Sequence, residues 1–345
     1  MRVLHVLNTN RFSGAENVVC QIIDMFKGDS NIDMAYASPD GKIRDALLER
    51  NITFFPMSKL CHSELNRIVN EYKPDVIHGH DIRGAYQASR FSHKAKIIHT
   101  IHGNDLRMRK VSVKSMLYYW AATKAAHIFW VSKTCLEQYK FYDLVKNKSS
   151  LLYNVINADA VTKKSISDSN NYGYNVVYIG RIACQKNPQR LMKVLKLAIE
   201  KKSSINAAIV GTGDLETETK EIAKKYKIED HVHFLGFQSN PLKILASSKV
   251  MIMTSDWEGT PMVALEAMAL GVPIVSTPTD GMCDMIENGV NGYLSNNEEE
   301  LAQRLIDIVN DNELYMRMSD SMRRKSCEIN DIATYKKGIS IAYKP

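Results

Sequence analysis

The stretch Val250-Met251-Ile252-Met253-Thr254-Ser255-Asp256-Trp257-Glu258-Gly259-Thr260-Pro261-Met262-Val263-Ala264-Leu265-Glu266 passes from a strand to a helix. Val250 to Met253 is an unbroken apolar run, the pattern of a buried strand. Thr260 can cap a helix, and Pro261 suits its first position, where a missing N–H costs nothing. Glu258 then stands in the loop leaving the strand, and Glu266 lies about a turn and a half into the helix. The N–H groups of the helix start fall between the two carboxylates and can bind an anion. A ligand with phosphates in its middle and hydroxyls at both ends fits that order, and a sugar nucleotide is built that way.

The same alternation runs outward through all 345 residues, enough chain for two α/β cores. In the first half, strands are predicted at 2–8, 32–37, 52–56, 75–78, 96–101, 126–131 and 149–152, with helices at 14–27, 42–50, 62–72, 82–92, 112–124 and 133–141. The polar run Ser165-Ile166-Ser167-Asp168-Ser169-Asn170-Asn171 reads as linker and loop. Strands resume at 175–179, 205–210, 231–235, 250–254, 273–276 and 292–294, and a last helix covers Asp331 to Tyr343. The expected fold is α/β: two Rossmann-like, doubly wound parallel-sheet domains, 1–160 and 172–330, facing across a cleft, with 161–171 as linker. Ligands of such sheets bind at the carboxyl ends of the strands.

Three further loops follow strands. In Gly180-Arg181-Ile182-Ala183-Cys184-Gln185-Lys186-Asn187, Arg181 offers a planar fork of donors and Lys186 a compact charge, together suited to a pyrophosphate. Ser13-Gly14-Ala15-Glu16 opens a helix, and Gly14 lets backbone approach a ligand closely. This is not the dinucleotide pattern G-x-G-x-x-G, which argues against an NAD enzyme. His99-Thr100-Ile101-His102-Gly103-Asn104-Asp105 places His102 at a strand end before a glycine turn, where a neutral imidazole can bond sugar hydroxyls. His78, His80, His99 and His102 could also gather around a metal.

Composition is that of an ordinary globular protein, 45% hydrophobic and 24% charged. The N-terminus lacks the pattern of a signal peptide, and no apolar run is long enough to span a bilayer. The six cysteines are scattered without a C-x-x-C pair and read as reduced thiols of a cytoplasmic protein. Net charge is +7. Arg107, Arg109, Lys110 and Lys114 precede Met116-Leu117-Tyr118-Tyr119-Trp120, so the segment Arg107–Trp120 either holds the protein on an anionic membrane surface or is a solvated helix start before a buried face. No nucleic-acid motif is present.

Taken together, Glu258…Glu266 resembles the E-x7-E signature of retaining glycosyltransferases of family 4, whose fold is GT-B. Gly180-Arg181…Lys186 resembles their G-R-x4-K element, and Ser13-Gly14-Ala15-Glu16 their G-G-x-E loop with Ser13 in place of the first glycine. The resemblance implies transfer of a sugar from a nucleotide diphosphate, UDP by family frequency, to a hydroxyl of a glycan, lipid-linked or cell-envelope acceptor, with the anomer retained. It implies that Glu266 binds the ribose, that Arg181, Lys186, Gly14 and the N–H groups of Met262 and Val263 hold the diphosphate, that Glu258 grips the sugar, and that His102 assists over it. It implies no metal, and no Asp-x-Asp occurs in the chain. It places the C-terminal helix 331–345 back on the first domain. Val210-Gly211-Thr212-Gly213 and Phe234-Leu235-Gly236 resemble segments bordering the base. Two rivals remain: a sugar-nucleotide 2-epimerase on the same fold, and a non-catalytic nucleotide-sugar-binding subunit of a polysaccharide assembly complex.

Overall fold

A computed structural model of the chain describes residues 1–103, 106–170 and 172–344. Asn104 and Asp105 of the histidine loop, Asn171 of the expected linker and Pro345 lie outside the described residues. The chain divides into two units, Met1–Asn154 with Ile332–Pro345, and Val155–Asp331.

The first unit holds β1 (Arg2–Val6), β2 (Asp33–Pro39), β3 (Thr53–Met57), β4 (Val76–His80), β5 (Lys96–Ile101), β6 (His127–Trp130) and β7 (Ser149–Leu151). They form one parallel sheet in the order β3-β2-β1-β4-β5-β6-β7. The second unit holds β8 (Val176–Ile179), β9 (Ala207–Val210), β10 (Val232–Gly236), β11 (Val250–Met253), β12 (Ile274–Ser276) and β13 (Gly292–Leu294). Their order is β10-β9-β8-β11-β12-β13, again parallel. All thirteen expected strands are present. Each sheet reverses its winding beside its first strand, between β1 and β4 and between β8 and β11. Loops leaving strands at such a switch point open a crevice. The central strand β11 is buried at every residue, as its apolar run requires.

The expected linker is a correction. Residues Ala158–Ile166 form a helix capped by the Asn157 side chain, which accepts from the Ala160 N–H at 2.9 Å. The helix packs on helices Leu242–Ser247 and Met262–Leu270, and the Ile156 N–H bonds Asn330 Oδ1 at 3.1 Å. Val155 and Ile156 are buried, so the chain enters the second unit at Val155, ahead of the expected boundary at 160. The C-terminal helix Ile332–Tyr343 belongs to the first unit, where Tyr343 is buried and its hydroxyl meets His78 Nδ1 at 2.7 Å.

Candidate active site

In the second unit, loops leaving the neighbouring strands β8 and β11 bring Lys186 and Glu258 together. Lys186 Nζ bonds Glu258 Oε1, and Ser255 Oγ donates to the same oxygen at 2.6 Å. Glu258 is 6% exposed. A carboxylate that deep is stable when charged groups and hydroxyls satisfy it. The loops are also tied along their backbones. The Asp256 N–H donates to the Gln185 carbonyl (2.9 Å), Gln185 Nε2 to the Trp257 carbonyl (2.8 Å), and Thr254 Oγ1 to the Lys186 carbonyl (3.0 Å). Asn187, at φ 48°, caps the helix Pro188–Lys201 through its side chain and bonds Asp256 through Nδ2 at 3.0 Å. Arg181 is exposed, and its guanidinium makes no hydrogen bond or ion pair with a described residue.

The glycine loops border this cation pair. The Gly180 N–H donates to the Val210 carbonyl (2.9 Å), and the Ile182 N–H to the Thr212 carbonyl (3.0 Å). Gly211 has φ +130°, and a Cβ there would stand 2.0 Å from the Gly180 carbonyl oxygen. Only glycine lets the strand ends zip this closely.

The helix Met262–Leu270 starts one residue later than expected. Pro261 takes the cap position in extended conformation, and the capping role expected of Thr260 falls away. The N–H groups of Ala264 and Leu265 turn back to the Pro261 carbonyl at 3.0 and 3.4 Å. Those of Met262 and Val263 are therefore the ones the helix ladder leaves over. One turn on, burial pushes the Glu266 carboxyl up to about 7, with the Lys164 charge pulling the other way. Lys164 comes from the helix that the sequence reading took for linker.

In the first unit, Gly14 begins the helix Gly14–Phe26, and a Cβ built on it would meet nothing within 4 Å. Nothing in the surrounding fold demands glycine there. Ser13 has a task of its own: its hydroxyl bonds Glu16 Oε2, while Thr9 Oγ1 donates to Oε1 at 2.5 Å, and Glu16 is buried. His102 follows β5. Its backbone N–H donates to Asp81 Oδ1 (3.0 Å), and its Nε2 meets His80 Nδ1 (3.0 Å). His80 Nε2 in turn meets His5 Nδ1 (2.9 Å). His102 Nδ1 is buried without a partner among the described residues. Burial lowers His102 below the usual imidazole value, with Asp81 and Glu16 opposing, and pushes His5 down to about 3. The string is therefore neutral at pH 7.

The four histidines that could have gathered around a metal do not come together as a set. Alternate strand residues face opposite sides, so His99 points away from Thr100 and His102 and bonds Ser89 Oγ at 3.0 Å. The imidazoles that cluster are His5, His78 and His80, with one nitrogen each within 4.8 Å. Both nitrogens of His78 are taken, by Tyr343 and Thr100, and both of His80, by His5 and His102. A metal would have to displace these bonds. Sequence reasoning missed His5, Ser255 and Lys164. His5 and His78 are register partners on adjacent strands, a signal available only once the strand order is known.

Residues 161–325 match the family model described as Glycosyl transferases group 1, and residues 13–160 match that of Glycosyltransferase Family 4. The chain belongs to the group 1, family 4 glycosyltransferases. It is 35% identical to an uncharacterized glycosyltransferase of Haemophilus influenzae, over 44% of each sequence. It is 23% identical to UDP-Gal:alpha-D-GlcNAc-diphosphoundecaprenol alpha-1,3-galactosyltransferase of Escherichia coli, over 94% of this chain and 92% of that one. The chain spans about half the length of the first curated relatives it matches, 44% and 57%. The crystal structure of Anabaena Alr3699/HepE in complex with UDP and glucose matches with a TM-score of 0.83 at 18% identity, over 99% of this chain and 98% of that one. That likeness establishes the GT-B fold of this family member.

Proposed function

We propose that this chain is a retaining, hexosyltransferase-type glycosyltransferase that moves a sugar from a UDP-sugar to a hydroxyl of a glycan, lipid-linked or cell-envelope acceptor. The single observation that carries this reading is the Lys186–Glu258 pair, in loops that also carry an exposed Arg181 and lead into the helix start at Met262. An arriving diphosphate competes for Lys186, gains Arg181 and meets the N–H groups of Met262 and Val263. Lys186 then leaves Glu258 free to bond the sugar's hydroxyls. Glu266 accepts from the ribose. UDP is favoured because the Anabaena neighbour was crystallised with UDP and the Escherichia coli relative is named for UDP-Gal.

In the reaction the bond from the anomeric carbon to the phosphate oxygen breaks, and the acceptor oxygen bonds the same face. The acceptor's proton passes to the departing diphosphate, whose charge Arg181 and Lys186 stabilise as it grows. The two cations and the helix start supply that stabilisation without a metal. By the family resemblance Gly14, at a helix start in the first unit, is assigned to phosphate. His102 is assigned to the sugar. If His80 donates to His102 Nε2, the His102 proton sits on the buried Nδ1, where a sugar hydroxyl would supply the partner that the described residues do not. The cysteines stand as thiols, which fits a cytoplasmic site of action.

The test is a panel of UDP-sugars with and without glycan acceptors, products read by NMR. Transfer with the donor's anomer retained is expected. An inverted anomer overturns retention, an epimerised donor in the absence of acceptor supports the epimerase, and tight UDP binding without any turnover supports a binding subunit.

A further inference from the structure

We propose that the outward face of the helix Val113–Lys124, with the cations around it, docks on an anionic lipid leaflet. The helix is apolar on both sides. Ser115, Tyr118, Ala121 and Ala122 face the core. Val113, Met116, Leu117 and Trp120 repeat at helical spacing on the other side, each between 41% and 76% exposed. A helix of a water-facing surface carries polar residues there. Leu106 and Val111, in the approach to the helix, are exposed as well. Together with Tyr86, whose ring lies 5.3 Å from that of Trp120, the four side chains line a shallow, almost wholly apolar hollow of about 460 Å3.

Charge selects the occupant. From Leu106 to Lys124 there are five cations, Arg107, Arg109, Lys110, Lys114 and Lys124, and no carboxylate. Lys110 and Lys124 are exposed at the two ends of the apolar stripe. An apolar stripe flanked by cations, with a tryptophan at its edge, is the build of a helix lying in the plane of an anionic membrane surface. A second copy packed on this face would set like charges against one another. No helix among the described residues is long and apolar enough to cross a membrane, so the association would be peripheral. The inference rests on none of the catalytic roles proposed above.

Co-sedimentation of the full chain with sucrose-loaded vesicles tests it, using phosphatidylcholine alone and phosphatidylcholine with about one third phosphatidylglycerol. Binding to the anionic vesicles alone is expected. The triple variant Met116→Ser, Leu117→Ser, Trp120→Ser should lose more than about tenfold in partitioning. Lys110→Ala and Lys124→Ala should each lose about fivefold. All changed side chains are exposed, and unaltered UDP affinity and melting temperature would certify the fold. Equal binding to neutral vesicles, no binding to either, or full binding by the triple variant each overturns the proposal. So does a dimer in solution that the triple variant abolishes, which would assign the face to a second copy. A chain that transfers sugar yet ignores vesicles sinks this inference alone.

Discussion

The two units share one topology and put it to opposite electrostatic use. In each, the loops after the first strand and after its neighbour across the switch point come together, β1 with β4 and β8 with β11. In the second unit those loops bring a cation onto a carboxylate, with a further arginine exposed beside them. In the first unit the strand ends carry buried, neutral imidazoles in a hydrogen-bonded string, from His5 in β1 to His80 at the end of β4 to His102 just after β5. The surroundings run the other way: the first unit has 25 Lys and Arg against 14 Asp and Glu, the second 20 against 24. Topology fixes where a site can form, and the residue types at the loop positions fix its chemistry.

The contrast breaks most visibly at Lys186. Lys186→Ala should cut sugar transfer by about 100- to 1,000-fold, as loss of one preorganised charge at a developing anion does elsewhere. Turnover within a few-fold of normal, in a folded variant, would remove the charged pair from the chemistry and leave the two units alike.

Acid should separate the units next. His5 and His99 are held at about 3 by burial, below the usual 6.5. Between those values the unfolded chain binds protons that the folded one excludes. Their contribution is complete above about pH 6.5 and is lost as pH falls toward 3, by about 1.4 kcal/mol per pH unit for each group. Glu266 runs in the opposite sense. Its carboxyl is raised to about 7, so between the ordinary 4.5 and 7 the folded state holds a proton that the unfolded state lacks, and its contribution grows as pH falls. Hydrogen exchange resolved by peptide should show the first unit opening before the second on acidification. His99→Gln, which keeps a partner for Ser89, should reduce the slope by about one proton. Simultaneous opening of both units would blunt the contrast.

A smaller effect concerns nucleotide affinity. Glu266→Gln should weaken UDP by about tenfold above pH 7. The wild type should lose affinity as pH falls below about 7, where the free carboxyl takes up its proton, while the variant stays flat. Calorimetry from pH 6 to 8 reads both. The smallest effect is expected at Ser13→Gly, which restores the glycine of the family loop and removes one hydroxyl from Glu16. The UDP dissociation constant should change by less than about threefold. A larger change would show that the Glu16 carboxylate works on the ligand.

Much of this was legible in the chain itself because apolar runs of strand length alternate with helical spacing, and because paired motifs follow strands. The misreadings have particular causes. Residues 161–171 were taken for linker because serines and asparagines crowd the turn after Ile166, although Asn157 followed by Asp159 is a usable helix-start signal. Pro261 was placed one position too deep because its fixed φ suits the first helical position, and helix boundaries shift by a residue with little local signal. His99 was grouped with His102 by closeness in sequence, where the period of two separates them. His5 lies 75 residues from His80, and only the adjacency of β1 and β4 joins them. The segment Arg107–Trp120 was left open between a hold on an anionic membrane surface and a solvated helix start before a buried face, because periodicity gives two apolar stripes and only burial tells which is covered.

A crystal structure of the chain soaked with UDP tests the donor site most directly. Density is expected in the second unit, with the diphosphate on Arg181, Lys186 and the N–H groups of Met262 and Val263, the ribose on Glu266, and Lys186 drawn off Glu258. UDP bound elsewhere, or bound there with the Lys186–Glu258 pair intact and Glu266 untouched, would contradict it.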